Sequence, residues 1–455
     1  MSLPLGTISR DRSAGLDHTT LIIIAFSTVF YSRIFCAVTG APSILNLAHF
    51  AVVPLVSWLI FTAPSSPKRS QPAIAPALTS GIISLGILIL LSAAWNSAGL
   101  INAIVDFMML GEPFIFLLAI VWVPMSVKSV NRLRSWLIGS ATINFLLAAA
   151  QKPLIDLGYI QAGEFNGTDG CGGVFFVSGA GNYVSASVSA AVALYIISRQ
   201  KLFPLWTRLA AGLAAFWQLL FSDSKQLLLA YLAAWLLLIA LSLKDIGKTI
   251  RLLGSATVFI LVFLWCIENV EVFKPFTAWA RPELYGINGL AWYAKFYGVR
   301  LIYSNYGLPL DWLFGLGPGH TISRLGAWFL RDYWSLLGPL GATTHPISEQ
   351  VMAFTKTNWL VYSSSLFNPI FGWAGIWGDL GIFGLGAYLY IDYLVWRYCG
   401  FIDGIKITML AVFVMGFIFT QMEEPGYMLS IASLVGLQSQ EVLSKRKNHK
   451  SPSSS

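Results

Sequence analysis

Leu252-Leu-Gly-Ser-Ala-Thr-Val-Phe-Ile-Leu-Val-Phe-Leu-Trp-Cys-Ile267 runs without a charge, and Glu268-Asn-Val-Glu271 then opens an interval too polar for hydrocarbon. A helix rises about 1.5 Å per residue, so about 20 apolar residues cross a bilayer core of about 30 Å. The span ending at 268 is therefore expected to cross, and the interval 269–369 to lie outside the membrane. Working outward, similar runs fall at 19–38, 43–62, 74–95, 103–124, 132–151, 181–198, 203–221, 225–242, 370–396, 404–421 and 426–441. With 250–268 they make twelve expected spans. The chain is 56% hydrophobic and 11% charged, far below the charge share of a soluble domain. The runs are continuous and do not alternate residue by residue, which excludes a transmembrane β-barrel. The fold class is an all-α polytopic membrane protein with one large external loop. Its parts are a nine-helix region (1–268), the loop (269–369), and a three-helix region with a basic tail (370–455).

Lysine and arginine set the expected orientation. Basic connections hold Lys68 and Arg69; Lys128, Arg132 and Arg134; Arg199 and Lys201; Lys244, Lys248 and Arg251; Arg397 and Lys406. Both termini belong with them, through Arg10 and Arg12 and through Lys445, Arg446, Lys447 and Lys450. The alternate connections are neutral or acidic, with Asp156, Glu164 and Asp169 in one and Glu423 and Glu424 in another. By the positive-inside rule both termini are expected in the cytoplasm, and 152–180 and 269–369 outside. The net charge of +8 thus reports topology and contact with anionic inner-leaflet lipid, and points to no nucleic acid partner. Met1 to His18 has no apolar core before a cleavage site, so the first span is expected to serve as the insertion signal. The tail after Ser444 reads as a disordered stub. Four cysteines are too few and too scattered for a disulfide framework or a metal site.

Residues able to do chemistry concentrate beyond the outer face. The interval 269–369 holds Arg281, Lys295, Arg300, Asp311, His320, Arg324, Arg331, Asp332, His345 and Glu349. In Phe221-Ser-Asp-Ser-Lys-Gln226, Lys225 reads either as a snorkelling anchor or as a cation presented to an anionic lipid-linked head group. Ser222 and Ser224 suit a helix cap. In Leu313-Phe-Gly-Leu-Gly-Pro-Gly-His320, Gly315, Gly317 and Gly319 permit close backbone approach, and free amides there would suit phosphate oxygens. The plain reading is a tight turn, and the Lys-Ser/Thr ending of a nucleotide loop is missing. A general base for a sugar hydroxyl could be His320, His345 or Glu349. In Gly378-Asp-Leu-Gly-Ile-Phe-Gly-Leu-Gly386 the small residues suit helix packing, while Asp379 could orient a cation. Asp106 and Glu112 are charges inside a span, where insertion costs roughly 2.5–3.5 kcal/mol and a partner is expected; Arg33 is a candidate.

Taken together these positions resemble the O-antigen ligase and polymerase superfamily of envelope glycosyltransferases. The resemblance rests on Ser224-Lys225 opening a helix, on Arg300 before Phe314-Gly-Leu-Gly-Pro-Gly319, on Asp379-Leu-Gly-Ile-Phe-Gly384, and on the glycine-rich stretch Phe165 to Asn182. It implies a GT-C-like architecture in the inner (cytoplasmic) membrane. It also implies a metal-independent glycosyltransferase using a polyprenyl-diphosphate-linked oligosaccharide, within a polysaccharide assembly system and without a cofactor. Lys225 and Arg300 would neutralise the leaving diphosphate, with Arg324 as a third cation. Ligases commonly carry a histidine about ten residues before the acidic-Leu-Gly element. Here Leu366-Phe-Asn-Pro-Ile-Phe-Gly372 has none, which favours polymerase over ligase. A flippase or transporter predicts charges along a mid-membrane path and short loops, the opposite of this pattern. An enzyme of this kind is expected to bring Lys225 and Arg300 near one cavity open to the outer leaflet, which a scaffold need not do.

Overall fold

The computed structural model describes residues 17–63, 73–122, 124–160, 170–176, 179–279, 281–286, 289–399 and 402–450. Within them the chain is 81% helix, with no strand. This follows from the solvent: with no water in a bilayer core, every backbone amide must be satisfied inside its own segment. Before the loop come α1 (His18–Phe30), α2 (Ser32–Thr39), α3 (His49–Thr62), α4 (Ile74–Trp95) and α5 (Leu100–Trp122). They are followed by α6 (Val127–Asp156), α7 (Gly181–Ser198), α8 (Leu205–Phe221), α9 (Gln226–Leu241) and α10 (Ile246–Asn269).

The loop folds into short helices: α11 (Lys274–Trp279), α12 (Pro282–Tyr285), α13 (Leu290–Lys295), α14 (Tyr297–Asn305) and α15 (Pro309–Phe314). Further along are α16 (Leu330–Asp332), α17 (Trp334–Leu337), α18 (Pro346–Thr357) and α19 (Trp359–Ser363). The chain closes with α20 (Gly372–Cys399), α21 (Asp403–Met415) and α22 (Pro425–Lys450).

Seven helical stretches are long and apolar enough to cross a membrane, or eight if α1 and α2, bent by 56° about Tyr31, count as one. The twelve expected from sequence exceed this number. The apolar α8 and α9 hold 17 and 16 residues, α21 has 13, and α22 mixes apolar and strongly polar turns. The tail does not read as expected either. Lys and Arg are good helix formers, and α22 continues through Ser444 to Lys450. The N-terminal Arg10 and Arg12, the connection with Lys68 and Arg69, Glu164 and Asp169, residues 165–169 and 177–178 of the glycine-rich stretch from Phe165 to Asn182, and the last five residues lie outside the described part.

The helices α5 and α7 form the interior, whereas α10 turns Leu253, Val258, Leu261 and Trp265 outward. Trp58, Ile83, Ile87, Leu213 and Trp217 are also exposed. An apolar surface of this extent needs lipid to cover it. The intramembrane Glu112 finds its partner in His49, whose Nδ1 lies 2.9 Å from both carboxylate oxygens, and both side chains are buried. Arg33 is not that partner. At the other end, Glu441 of α22 accepts from Arg134 of α6 (2.7 Å), from the Tyr195 hydroxyl of α7 (2.5 Å) and from Arg199, which ties three helices together.

Candidate functional site

Helix α20 is broken at Gly381, whose φ of 66° only glycine adopts without strain. The break leaves carbonyls 378 and 379 without partners on their own helix, and the glycine turn of the loop supplies them. The amides of Leu316 and Gly317 donate to Gly378 O (2.8 Å) and Asp379 O (3.0 Å), and the Ser92 hydroxyl of α4 also donates to Asp379 O (2.7 Å). The buried Asp379 carboxylate then collects Gly319 N–H (2.8 Å), Thr321 N–H (2.8 Å), the Thr321 hydroxyl (2.6 Å) and the Ser323 hydroxyl (2.5 Å). Gly315 has φ 75°, and a methyl there would overlap the Asp379 carbonyl. The anion cradled by the Gly315-Gly317-Gly319 turn is thus Asp379 of the chain itself, so amides read as available to phosphate are already engaged.

His320 follows the turn. Its Nδ1 lies 2.9 Å from the Leu316 carbonyl and must donate to it, so Nε2 accepts from the Thr343 hydroxyl at 2.8 Å. The same hydroxyl accepts from Gly99 N–H (3.0 Å). Burial lowers the imidazole pKa, which keeps it neutral. Both ring nitrogens are therefore already engaged within the loop, and Thr343 carries the link on to Gly99, just before α5. His345, its ring 5.6 Å away, caps α18 by accepting from Ile347 N–H.

Next along the chain, the Arg324 amide donates to Glu423 Oε2 (2.6 Å), and its guanidinium lies 3.6 Å from Glu424 in the turn between α21 and α22. Arg324 is buried and its Nε has no hydrogen-bond partner among the described residues. Glu423 Oε1 and Asp106 Oδ2 are likewise buried and unmatched. Burial pushes Glu423 up to about 8. Arg33 and Arg331 complete this polar layer around Asp332, which feels both of them and Arg324.

A cavity of about 590 Å³ opens where α7, α9 and the end of the loop meet. It is lined by Lys225 and Asp223, by Ser363, Ser364 and Ser365, by Asn182, Tyr183 and Asn368, and by the apolar Leu229 and Phe276. Lys225 Nζ donates to Asp223 (2.5 Å) and is largely shielded. Asp223 has φ 49°, unusual outside glycine. Ser222 and Ser224 do not cap α9: its N-cap position is Lys225 and no side chain accepts there, while the two serine hydroxyls donate to the carbonyls of Gln218 and Ser222. The Asn182 side-chain amide holds the turn through Ser222 O (3.0 Å). Tyr183 reaches across to the Ser365 hydroxyl (2.8 Å).

Of the sequence candidates, Lys225 lines this cavity, while Gly315, Gly317, Gly319, His320 and Asp379 form one buried knot beside Arg324. Arg300 is exposed on α14; its guanidinium donates to the Tyr293 carbonyl (2.7 Å) and lies 4.2 Å from the Tyr293 ring centre. It is not among the cavity's lining residues. Glu349 is exposed in the first turn of α18. Sequence reading gave no site role to Asp223, to the serines at 363–365, or to Lys295. The ammonium of Lys295 donates to the carbonyls of Asn368 (3.0 Å) and Ile418 (2.9 Å), joining the cavity wall to the end of α21. A run of three serines carries no spacing signature, although Asp223 beside Lys225 could have been noticed as a ready ion pair. No family model matches the chain, and no curated protein matches it.

Proposed function

We propose that the protein is a glycosyltransferase that polymerises polyprenyl-diphosphate-linked oligosaccharide units into a surface polysaccharide. In this reading it sits in the inner membrane with twelve crossings in a GT-C-like arrangement and both termini cytoplasmic. The observation that supports it most is the cavity holding Lys225. A lipid-linked sugar has an apolar tail, a dianionic linker and a hydroxyl-rich head. The cavity's lining offers a counterpart to each: Leu229 and Phe276, the Lys225 cation, and hydroxyls and amides from 182–183 and 363–368.

The reaction forms a bond from an acceptor hydroxyl oxygen to the donor's anomeric carbon, as the bond from that carbon to the diphosphate breaks. The leaving diphosphate gains charge, and Lys225 meets it. Arg300 joins by swinging away from Tyr293, and Arg324 contributes through the longer-range field. Asp223 loses its ammonium partner when the diphosphate arrives and is then the carboxylate placed to take the acceptor's proton. Removing one preorganised group of this kind costs roughly 10²–10³ in turnover. The lack of a histidine in Leu366–Gly372 supports polymerase over ligase within this reading.

The test is glycan analysis of a deletion strain complemented with wild type, Lys225→Ala or Asp223→Asn, with membrane levels of each variant matched. Long polymer is expected only with wild type, and single units accumulate on carrier lipid with the variants. Full-length polymer from Lys225→Ala at normal protein level would overturn the assignment. Unchanged glycans in the deletion itself would overturn the function.

A further inference from the structure

A second cavity, about 250 Å³, lies within the membrane-spanning layer between α5, α20, α21 and α22. Its wall is aliphatic and aromatic except for Asp392. Helix α20 leaves the loop at Gly372, so residues 392–399 are far along it, toward the membrane face opposite the loop. There the cavity's rim carries two cations. Arg397 Nη1 donates to the hydroxyl of Tyr393 (3.3 Å), and Lys406 Nζ lies 5.9 Å from the ring centre of Trp396. Tyr393 and Trp396 both line the cavity, as do Met409 and Leu410, which stand one turn beyond Lys406 on α21. Arg397 is exposed, and Tyr393, Leu389 and Phe413 leave the opening toward lipid.

We infer that this groove is a binding site for one anionic glycerophospholipid, distinct from the loop-face cavity and independent of the function proposed above. One acyl chain fills the apolar groove, and the phosphate meets Arg397 and Lys406 at the rim. Asp392 stands five residues deeper than Arg397, about 7.5 Å along the helix axis. The glycerol ester carbonyls of a lipid lie at a similar depth below its phosphate, and a carboxylic acid there can donate to one of them. The aromatic rim, the two cations beside it and the single acid thus follow the order of groups along a phospholipid. Its bound chain would join α20 to α21 where the wall is otherwise open.

The test uses the full chain in detergent and native mass spectrometry, with dioleoyl phosphatidylglycerol and dioleoyl phosphatidylcholine as probes. Wild type is expected to retain phosphatidylglycerol with about tenfold preference, because phosphatidylcholine brings its own choline cation up to Arg397 and Lys406. Arg397→Gln with Lys406→Gln should abolish that preference, and Ala432→Trp, which fills the groove, should lose retention of both lipids. Ala432 is buried, so its variant is read only if monodisperse and melting near wild type; the rim variant stands by itself otherwise. Undiminished preference in the rim variant, or equal retention of the two lipids by wild type, would overturn the inference.

Discussion

Asp379 takes four donors in a place water does not reach, so its removal has a calculable consequence. Asp379→Ala leaves the amides of Gly319 and Thr321 unmet, at about 1–3 kcal/mol each. Asp379→Asn keeps an acceptor and should cost less. Thermal unfolding of the two purified variants is expected to rank them in that order, and equal melting would mean that the turn is held by other contacts. Lys295 gives a pH-dependent counterpart. Burial lowers its ammonium from 10.5 to about 7. Between those values the unfolded chain takes up a proton that the folded chain does not, so folded stability falls as pH drops from about 10.5 to about 7 and then levels. Lys295→Met removes that slope; melting curves for variant and wild type that run parallel across the window would refute it. At this scale the sequence reading found the residues and missed their partners. Gly315–Gly319 and Asp379 were each recognisable as motifs, yet the turn read as open to phosphate and Asp379 as a partner for a cation. Nothing in a linear pattern says that two motifs some sixty positions apart satisfy one another.

Among the elements, α20 departs most from a plain span. The glycines of 378–386 read as one packing stripe, but the structure divides them by role. At Gly381 the backbone is left-handed, and a methyl would overlap the backbone of Leu313 in α15; at Gly386 a methyl would meet open space. Gly381→Ala is therefore expected to destabilise by roughly 1–3 kcal/mol. Gly386→Ala should be neutral or stabilising by up to about 1 kcal/mol through helix propensity. Thermal melting of the pair distinguishes a functional break from an incidental one, since a uniform stripe would make the two alike. Helix existence was legible from hydropathy because length and apolarity are local properties. The bend at Tyr31 and the break at Gly381 were not, since both are set by what packs against them. The partner of Glu112 was missed for the same reason: His49 lies on another helix and becomes a neighbour only when α3 packs on α5.

For the whole molecule, the question left by helix lengths is which elements cross. The apolar α8 and α9 have 17 and 16 residues, about 25 Å each, slightly less than the usual hydrocarbon thickness. Arg208, in the first turn of α8, and Lys244, just past α9, can snorkel to make up the difference. If both cross, the turn bearing Lys225 shares a face with the loop, and the connections at 199–204 and 242–245 lie on the opposite face. If neither crosses, all three lie on one side and the cavity between α9 and the loop could not form. The cavity therefore depends on two helices that fall short by length alone. Single cysteines at exposed sites, in a background with Cys36, Cys171, Cys266 and Cys399 replaced by serine, resolve this with a membrane-impermeant maleimide. Tyr362→Cys, 85% exposed in the loop, is expected to label in intact spheroplasts. Leu202→Cys and Leu243→Cys should label only after permeabilisation. Labelling of Leu243→Cys from outside would reverse the α8–α9 hairpin and separate Lys225 from the loop. Labelling as expected would place the cation and the serine wall on the same external face, which the proposed transfer reaction requires.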